Sequence, residues 1–198
     1  MHLKGDDLLN RKFDVCFGHG DVNGDGVLER ADCVALGARL AAYLDEPFDS
    51  PKALALFESF GTFWTRLIAE FDEDGAGALS PQEFRKGMRG AWVEDPGGFE
   101  AAFRPAATAL WRLCDKDDDG FVRAEEFARF HKAFGTSAGN SRISFERLDR
   151  DSDGNLSVDE LIEAWREYYT SADPAAPGNW LYGDIWQESV WDGTRVKL

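Results

Sequence analysis

The chain has 198 residues, with 37 acidic against 22 basic side chains and a net charge of −15. A chain this acidic, with no basic cluster, is not expected to bind nucleic acid, nor anionic lipid by charge alone. No apolar run approaches the roughly 18 residues of a membrane span, and the charged opening MHLKGDDLLNRKF lacks the apolar stretch of a secretory signal.

Along the chain, Leu9, Phe13, Cys16 and Phe17 fall at helical spacing ahead of a twelve-residue segment, Asp21–Asp32, reading DVNGDGVLERAD. A helix is expected from Cys33 until the break at Glu46-Pro47-Phe48-Asp49-Ser50-Pro51. There Ser50 suits an N-cap and Pro51 the first turn of a long helix to Phe71, with Trp64, Leu67, Ile68 and Phe71 on one face. A second segment, Asp72–Glu83 (DEDGAGALSPQE), leads to Phe84, Met88 and Trp92. Asp95-Pro96-Gly97-Gly98 reads as the joint between halves. Leu110, Trp111 and Cys114 precede a third segment, Asp115–Glu126 (DKDDDGFVRAEE), which runs into Phe127, Phe130 and Phe134. Gly135–Asn140 reads as a short flexible linker, and Phe145 and Leu148 lead to a fourth segment, Asp149–Glu160 (DRDSDGNLSVDE). Leu161, Trp165, Tyr168 and Tyr169 continue from it. After a turn at residues 173–178, Trp180, Leu181, Tyr182, Ile185, Trp186 and Trp191 are too apolar for a disordered tail and are expected to fold back onto the core.

The four segments, loops 1 to 4, share one pattern. Each has oxygen-bearing side chains at positions 1 and 3, glycine at 6, an aliphatic at 8 and a carboxylate at 12, and three of them have an oxygen donor at 5. This is the spacing of the EF-hand calcium loop. Calcium is a hard cation taking 6–8 oxygens, and ligands on alternate residues let one loop wrap it. Together the loops hold 19 acids and 4 bases, so they carry the whole net charge and the remainder is neutral. The acidity is placed where cations would sit.

Loop 4 offers Asp149, Asp151, Asp153, the carbonyl of Asn155, Ser157 and a bidentate Glu160. Loop 3 offers Asp115, Asp117, Asp119, the carbonyl of Phe121 and Glu126, with Arg123 at position 9 unable to ligate and water expected in its stead. Loop 1 offers Asp21, Asn23, Asp25, the carbonyl of Val27 and Asp32, with Glu29 at position 9. Asp32 is one methylene shorter than glutamate, so six-coordination and better tolerance of magnesium are expected there. Loop 2 has Asp72, Asp74 and Glu83, but Ala76 removes the position-5 ligand, leaving its occupancy open between a weak site and a structural partner for loop 1. About three calcium ions are therefore expected.

The fold expected is all-α: four helix–loop–helix units in two pairs, residues 1–94 and 99–172, followed by the apolar segment 173–198. Short ladders should pair Leu28 with Leu79 and Val122 with Leu156. Cys16, Cys33 and Cys114 read as core thiols in a reducing cytoplasm, although a disulfide or redox role stays open. His2, His19 and His131 are isolated, and no nucleophile motif or phosphate-cradling loop is present, so no enzyme is expected.

These four loops, the 39-residue spacing between the first and second, the damaged second loop and the apolar C-terminal segment resemble the sarcoplasmic calcium-binding protein family. Leu28-Glu29-Arg30-Ala31-Asp32 and the Asp173–Gly183 stretch are similar to its bacterial calerythrin-like members. The resemblance implies one compact globule acting as a cytoplasmic, monomeric calcium buffer with magnesium exchange. Coelenterazine-dependent photoproteins share this architecture, but the helix Ala164–Tyr169 has no histidine, which argues against light emission. The alternative is a sensor that opens an apolar groove for a target protein or hydrophobic ligand. Adaptable methionine commonly lines such grooves. With one internal methionine, Met88, against 26 aromatic residues, the composition favours the buffer.

Overall fold

The computed structural model describes residues 5–186. His2, Trp191 and the remainder of 187–198 lie outside the described residues, as does the side chain of Trp92.

Among the described residues eight α-helices carry the fold: α1 (Gly5–Gly20), α2 (Arg30–Tyr43), α3 (Pro51–Phe71), α4 (Pro81–Met88), α5 (Pro96–Cys114), α6 (Ala124–Ala133), α7 (Ala138–Leu148) and α8 (Val158–Thr170). The helix ends follow local chemistry. Ser50 caps α3 by accepting from the Ala53 N–H, with Pro51 in the first turn. Ser80 and Ser157 cap α4 and α8 through capping boxes with Glu83 and Glu160.

Two connections are tighter than the glycines suggest. Asp95 caps α5 by accepting from Gly97 N–H, so Pro96, Gly97 and Gly98 belong to the first turn of a helix. The chain passes from α4 through a π-helical turn, Arg89–Val93, with only Glu94 and Asp95 between. Likewise Ser137 caps α7, and Asn140 is already helical. The linker expected at 135–140 shrinks to Gly135–Ser137.

The ladders fall where the aliphatics at position 8 place them. Strands β1 (Phe121–Val122) and β2 (Leu156–Ser157) pair antiparallel, with Val122 opposite Leu156. Leu28 and Leu79 form a single antiparallel bridge, exchanging backbone hydrogen bonds of 2.9 Å in both directions. All four aliphatics are buried, so the loops are joined back to back over the core.

The core is aromatic and continuous across the helices, with Phe13, Trp111, Phe127, Phe130, Trp165, Tyr168 and Tyr169 all buried. Rings meet edge-on, as the π quadrupole prefers: Trp111 and Trp165 centroids are 6.5 Å apart at 84°. Past α8 the chain turns back through a single 3-10 turn, Pro177–Trp180, and buries Leu181, Tyr182 and Ile185. His131 Nε2 donates to the Leu181 carbonyl (2.9 Å), and the Thr136 hydroxyl donates to the Tyr182 carbonyl (2.7 Å). Gly178 is obligatory here: a Cβ would stand 2.5 Å from Glu167 Cβ and 2.6 Å from the Ala164 carbonyl oxygen of α8.

Lys12 is the least expected core residue, with none of its surface exposed. Its ammonium donates to the Ser171 carbonyl (2.7 Å), just past α8, and to the Glu167 carbonyl (3.3 Å), which also accepts from the Ser171 N–H. Burial pulls its pKa down to about 8, against the nearby charges of Glu167 and Asp173. No described helix is long and apolar enough to cross a membrane.

Candidate metal centre

Each loop begins as a helix ends, and its first residue organises the turn. In loop 3 the Asp115 carboxylate accepts from Asp119 N–H (3.2 Å) and Gly120 N–H (2.9 Å). In loop 4 Asp149 accepts from Asp153 (3.1 Å) and Gly154 (2.9 Å) in the same way. The position-6 glycines take φ of +87° in both loops, a left-handed conformation that a side chain resists. Position 4 is left-handed as well, held by Asp118 (φ 57°) and Ser152 (φ 60°), residue types that tolerate or locally stabilise such turns.

The position-12 carboxylate is placed by the start of the following helix. Glu160 accepts from Arg150 N–H through Oε1 and from Ser157 N–H through Oε2, each at 2.9 Å. Glu126 repeats this with Lys116 and Arg123, each at 2.9 Å. One carboxylate thus pins both ends of its loop, and both its oxygens are turned toward the loop interior.

Three triads converge: Asp115, Asp117 and Glu126; Asp149, Asp151 and Glu160; and Asp72, Asp74 and Glu83. In each, one oxygen per residue lies within 4.8 Å of the others, a spacing that suits a single divalent cation. Loop 2, doubtful from its sequence, brings its three carboxylates together despite Ala76. Loop 1 is built differently. Its position 3 is the amide of Asn23, which donates to Asp25 Oδ2 (3.0 Å) and accepts from Asp25 N–H (2.8 Å). Asp32 is buried, and its two oxygens accept from the backbone N–H groups of Val22, Asn23 and Glu29 at 3.0–3.3 Å.

Arg123 was expected only to leave a gap at position 9. Instead its guanidinium folds over loop 3, 3.0 Å from Asp117 Oδ2 and in contact with Asp119 Oδ2. The Phe121 N–H, joined by Arg123, holds the Asp119 carboxyl below its usual range. Loop 4 has no such internal cation. There the Asp153 N–H favours ionisation of Asp151, but desolvation and the charges of Asp153, Glu160 and Asp149 together push its pKa up. Loop 4 therefore carries unrelieved like-charge repulsion that a divalent ion removes, whereas loop 3 is partly neutralised from within.

Loop 3 is also tied to the first half of the chain. Lys52, at the start of α3, donates to the Asp115 carbonyl (2.6 Å) and pairs with Asp118 (2.7 Å). Lys116 pairs with Glu46 (2.7 Å) and donates to the Asp45 carbonyl (3.2 Å).

The three cysteines are free thiols. Burial raises the pKa of Cys16 to about 11 and of Cys33 to about 12, so neither is a reactive thiolate at neutral pH.

A family model described as EF hand matches residues 142–164, which span loop 4 and its flanks. Calerythrin of Saccharopolyspora erythraea is 29% identical over 164 residues, covering 82% of this chain and 90% of that protein. The structure of a Streptomyces coelicolor calcium-binding protein, described in connection with prokaryotic calcium-mediated regulation, superposes with a TM-score of 0.73. It is 26% identical and covers 83% of this chain and 99% of the other. An amphioxus sarcoplasmic calcium-binding protein shares the fold with a TM-score of 0.72 at 19% identity, over 90% of this chain and 97% of that one.

Proposed function

We propose that this chain, an EF-hand protein that resembles the sarcoplasmic calcium-binding protein and calerythrin-like family, is a cytoplasmic, monomeric calcium buffer. Calcium is held by Asp149, Asp151, Asp153, Asn155 and Glu160 in loop 4, and by Asp115, Asp117, Asp119, Phe121 and Glu126 in loop 3. Asp21, Asn23, Asp25, Val27 and Asp32 hold the ion of loop 1, where the shorter Asp32 favours exchange with magnesium. Loop 2 lacks a position-5 ligand and binds more weakly.

The observation that carries the buffer reading is the closed interior. A sensor answers calcium by exposing an apolar groove. Here that interior is sealed by Leu181 and Tyr182, which are hydrogen-bonded through their backbone to α6 and its C-terminal turn. The second reading, a calcium-responsive regulator, draws on the likeness to the Streptomyces coelicolor protein and requires segment 173–186 to leave the core.

The deciding experiment is a calcium titration in millimolar magnesium, followed by a hydrophobic-surface dye and by calorimetry. A buffer binds about three ions with flat or falling dye fluorescence, and a steep rise overturns the proposal in favour of the regulator. Magnesium binding at loop 1 no tighter than at loops 3 and 4 removes the magnesium-exchange part.

A further inference from the structure

The helices do not fill the molecule completely. Between α1, α2, α3, α5 and α8 lies a cavity of about 120 Å³, bounded on one side by Tyr182 of the returning segment. Its wall is almost wholly apolar and rich in rings, including Phe60, Phe63, Trp64, Phe103, Phe134 and Trp165.

The polar groups on this wall are few, and most are committed. Tyr169 and Tyr182 hydroxyls bond each other at 2.9 Å, Cys16 Sγ lies 3.4 Å from Tyr169 Oη, and Trp165 Nε1 donates to Tyr182 Oη at 3.2 Å. Asp32 also borders the cavity, but both its oxygens are taken by loop backbone. One group stands apart. His19 Nδ1 is buried and has no hydrogen-bond partner among the described residues. Its ring is held against Phe134 (4.7 Å) and Tyr182 (5.0 Å), so it cannot swing out freely to find one. Buried polar atoms are nearly always satisfied, and each exception calls for an explanation.

We infer that this cavity is a binding site for one small hydroxylated aromatic molecule of the phenol class, its hydroxyl meeting His19 Nδ1. Size sets the ring count: an apolar cavity of about 150 Å³ accepts benzene, so about 120 Å³ sets the scale at a single six-membered ring and leaves no room for a second. The lining of aromatic faces and edges favours a flat, apolar body. A water molecule is a poor occupant, because it needs two to four polar partners and, among the described residues of the wall, His19 Nδ1 is the one buried nitrogen or oxygen without a partner. A hydroxyl both donates and accepts, so it satisfies Nδ1 in either tautomer.

The test is calorimetric titration of the calcium-loaded full-length protein with phenol and, separately, benzene. The two differ by one hydroxyl. Binding at one site is expected, with phenol preferred by roughly three- to tenfold, the worth of one net hydrogen bond. His19→Leu should erase that preference while benzene still binds. Ala107→Leu, which fills the cavity from α5, should abolish binding of both with calcium stoichiometry unchanged; Leu36→Phe repeats the block from α2 if that variant does not fold. No binding to the parent protein, a preference that survives His19→Leu, or undiminished binding in the filled variants each overturns the assignment.

Discussion

Replacing Lys12 with methionine removes the one buried ammonium among the described residues and should change the pH dependence of stability in a narrow window. The folded pKa is about 8, against an ordinary lysine value of 10.5. A buried lysine with a lowered pKa binds its proton less tightly folded than unfolded. Stability therefore rises with pH between these two values, where the unfolded chain still holds the proton and the folded one does not. Linkage gives a gain of about 1 kcal/mol between pH 8 and 9 for this shift, and a total of about 3 kcal/mol across the whole window. Over the same interval the raised thiols of Cys16, Cys33 and Cys114 act in the opposite sense, each losing about 0.35 kcal/mol as the unfolded thiols ionise, so the Lys12 contribution is read as the difference between the two proteins. The assay is urea unfolding in saturating calcium at pH 7.5, 8, 8.5 and 9. The parent midpoint should stay about level from pH 8 to 9, while that of Lys12→Met falls by about 0.3–1 M. Parallel slopes in the two proteins would refute the claim that this ammonium is held charged against burial.

Glu160→Gln removes a charge and one of two acceptor oxygens from the group that pins both ends of loop 4. Calcium affinity should fall sharply at that site alone, and unchanged stoichiometry and affinity in calorimetry would contradict the loop assignment. Arg123→Ser withdraws the internal cation from Asp117 and Asp119 and supplies an oxygen at position 9, so loop 3 should bind calcium more tightly; weaker binding would mean the guanidinium helps to shape the site. Gly178→Ala drives a methyl into the backbone of α8, and overpacking of this kind costs about 1–3 kcal/mol. With about 2–4 °C lost per kcal/mol in a chain of this size, a melting point within 1 °C of the parent would show that the returning segment is not held against α8.

The elements most legible in the sequence are those whose spacing is dictated by chemistry. Loop ligands must alternate, position 6 must turn left-handed, and Ser50-Pro51 can only open a helix, so the loops, the ladders and α3 follow directly. The two connections that are shorter than their residues suggest share a cause. Asp95-Pro96-Gly97-Gly98 and Gly135–Asn140 are rich in helix breakers, but Asp95 and Ser137 act as N-caps that make Gly97, Gly98 and Asn140 part of a first turn. Lys12 and His19 were hidden by their residue types. Leu8, Lys12, Val15 and His19 recur at intervals of four, three and four, one face of α1, which is a legible signal once a lysine is allowed to spend its charge on a helix end. The bridge from Arg123 to Asp117 and Asp119 turns on which way a long side chain folds, and spacing alone does not carry that.

The tie between Lys52 and loop 3 gives α3 a mechanical character. This helix of 21 residues starts at Pro51, beside the lysine that grips the Asp115 carbonyl, and ends at Phe71, against the first ligand position of loop 2. At 1.5 Å per residue it is a rod about 31 Å long. The third and second loops thus rest on one common strut, although they belong to different pairs.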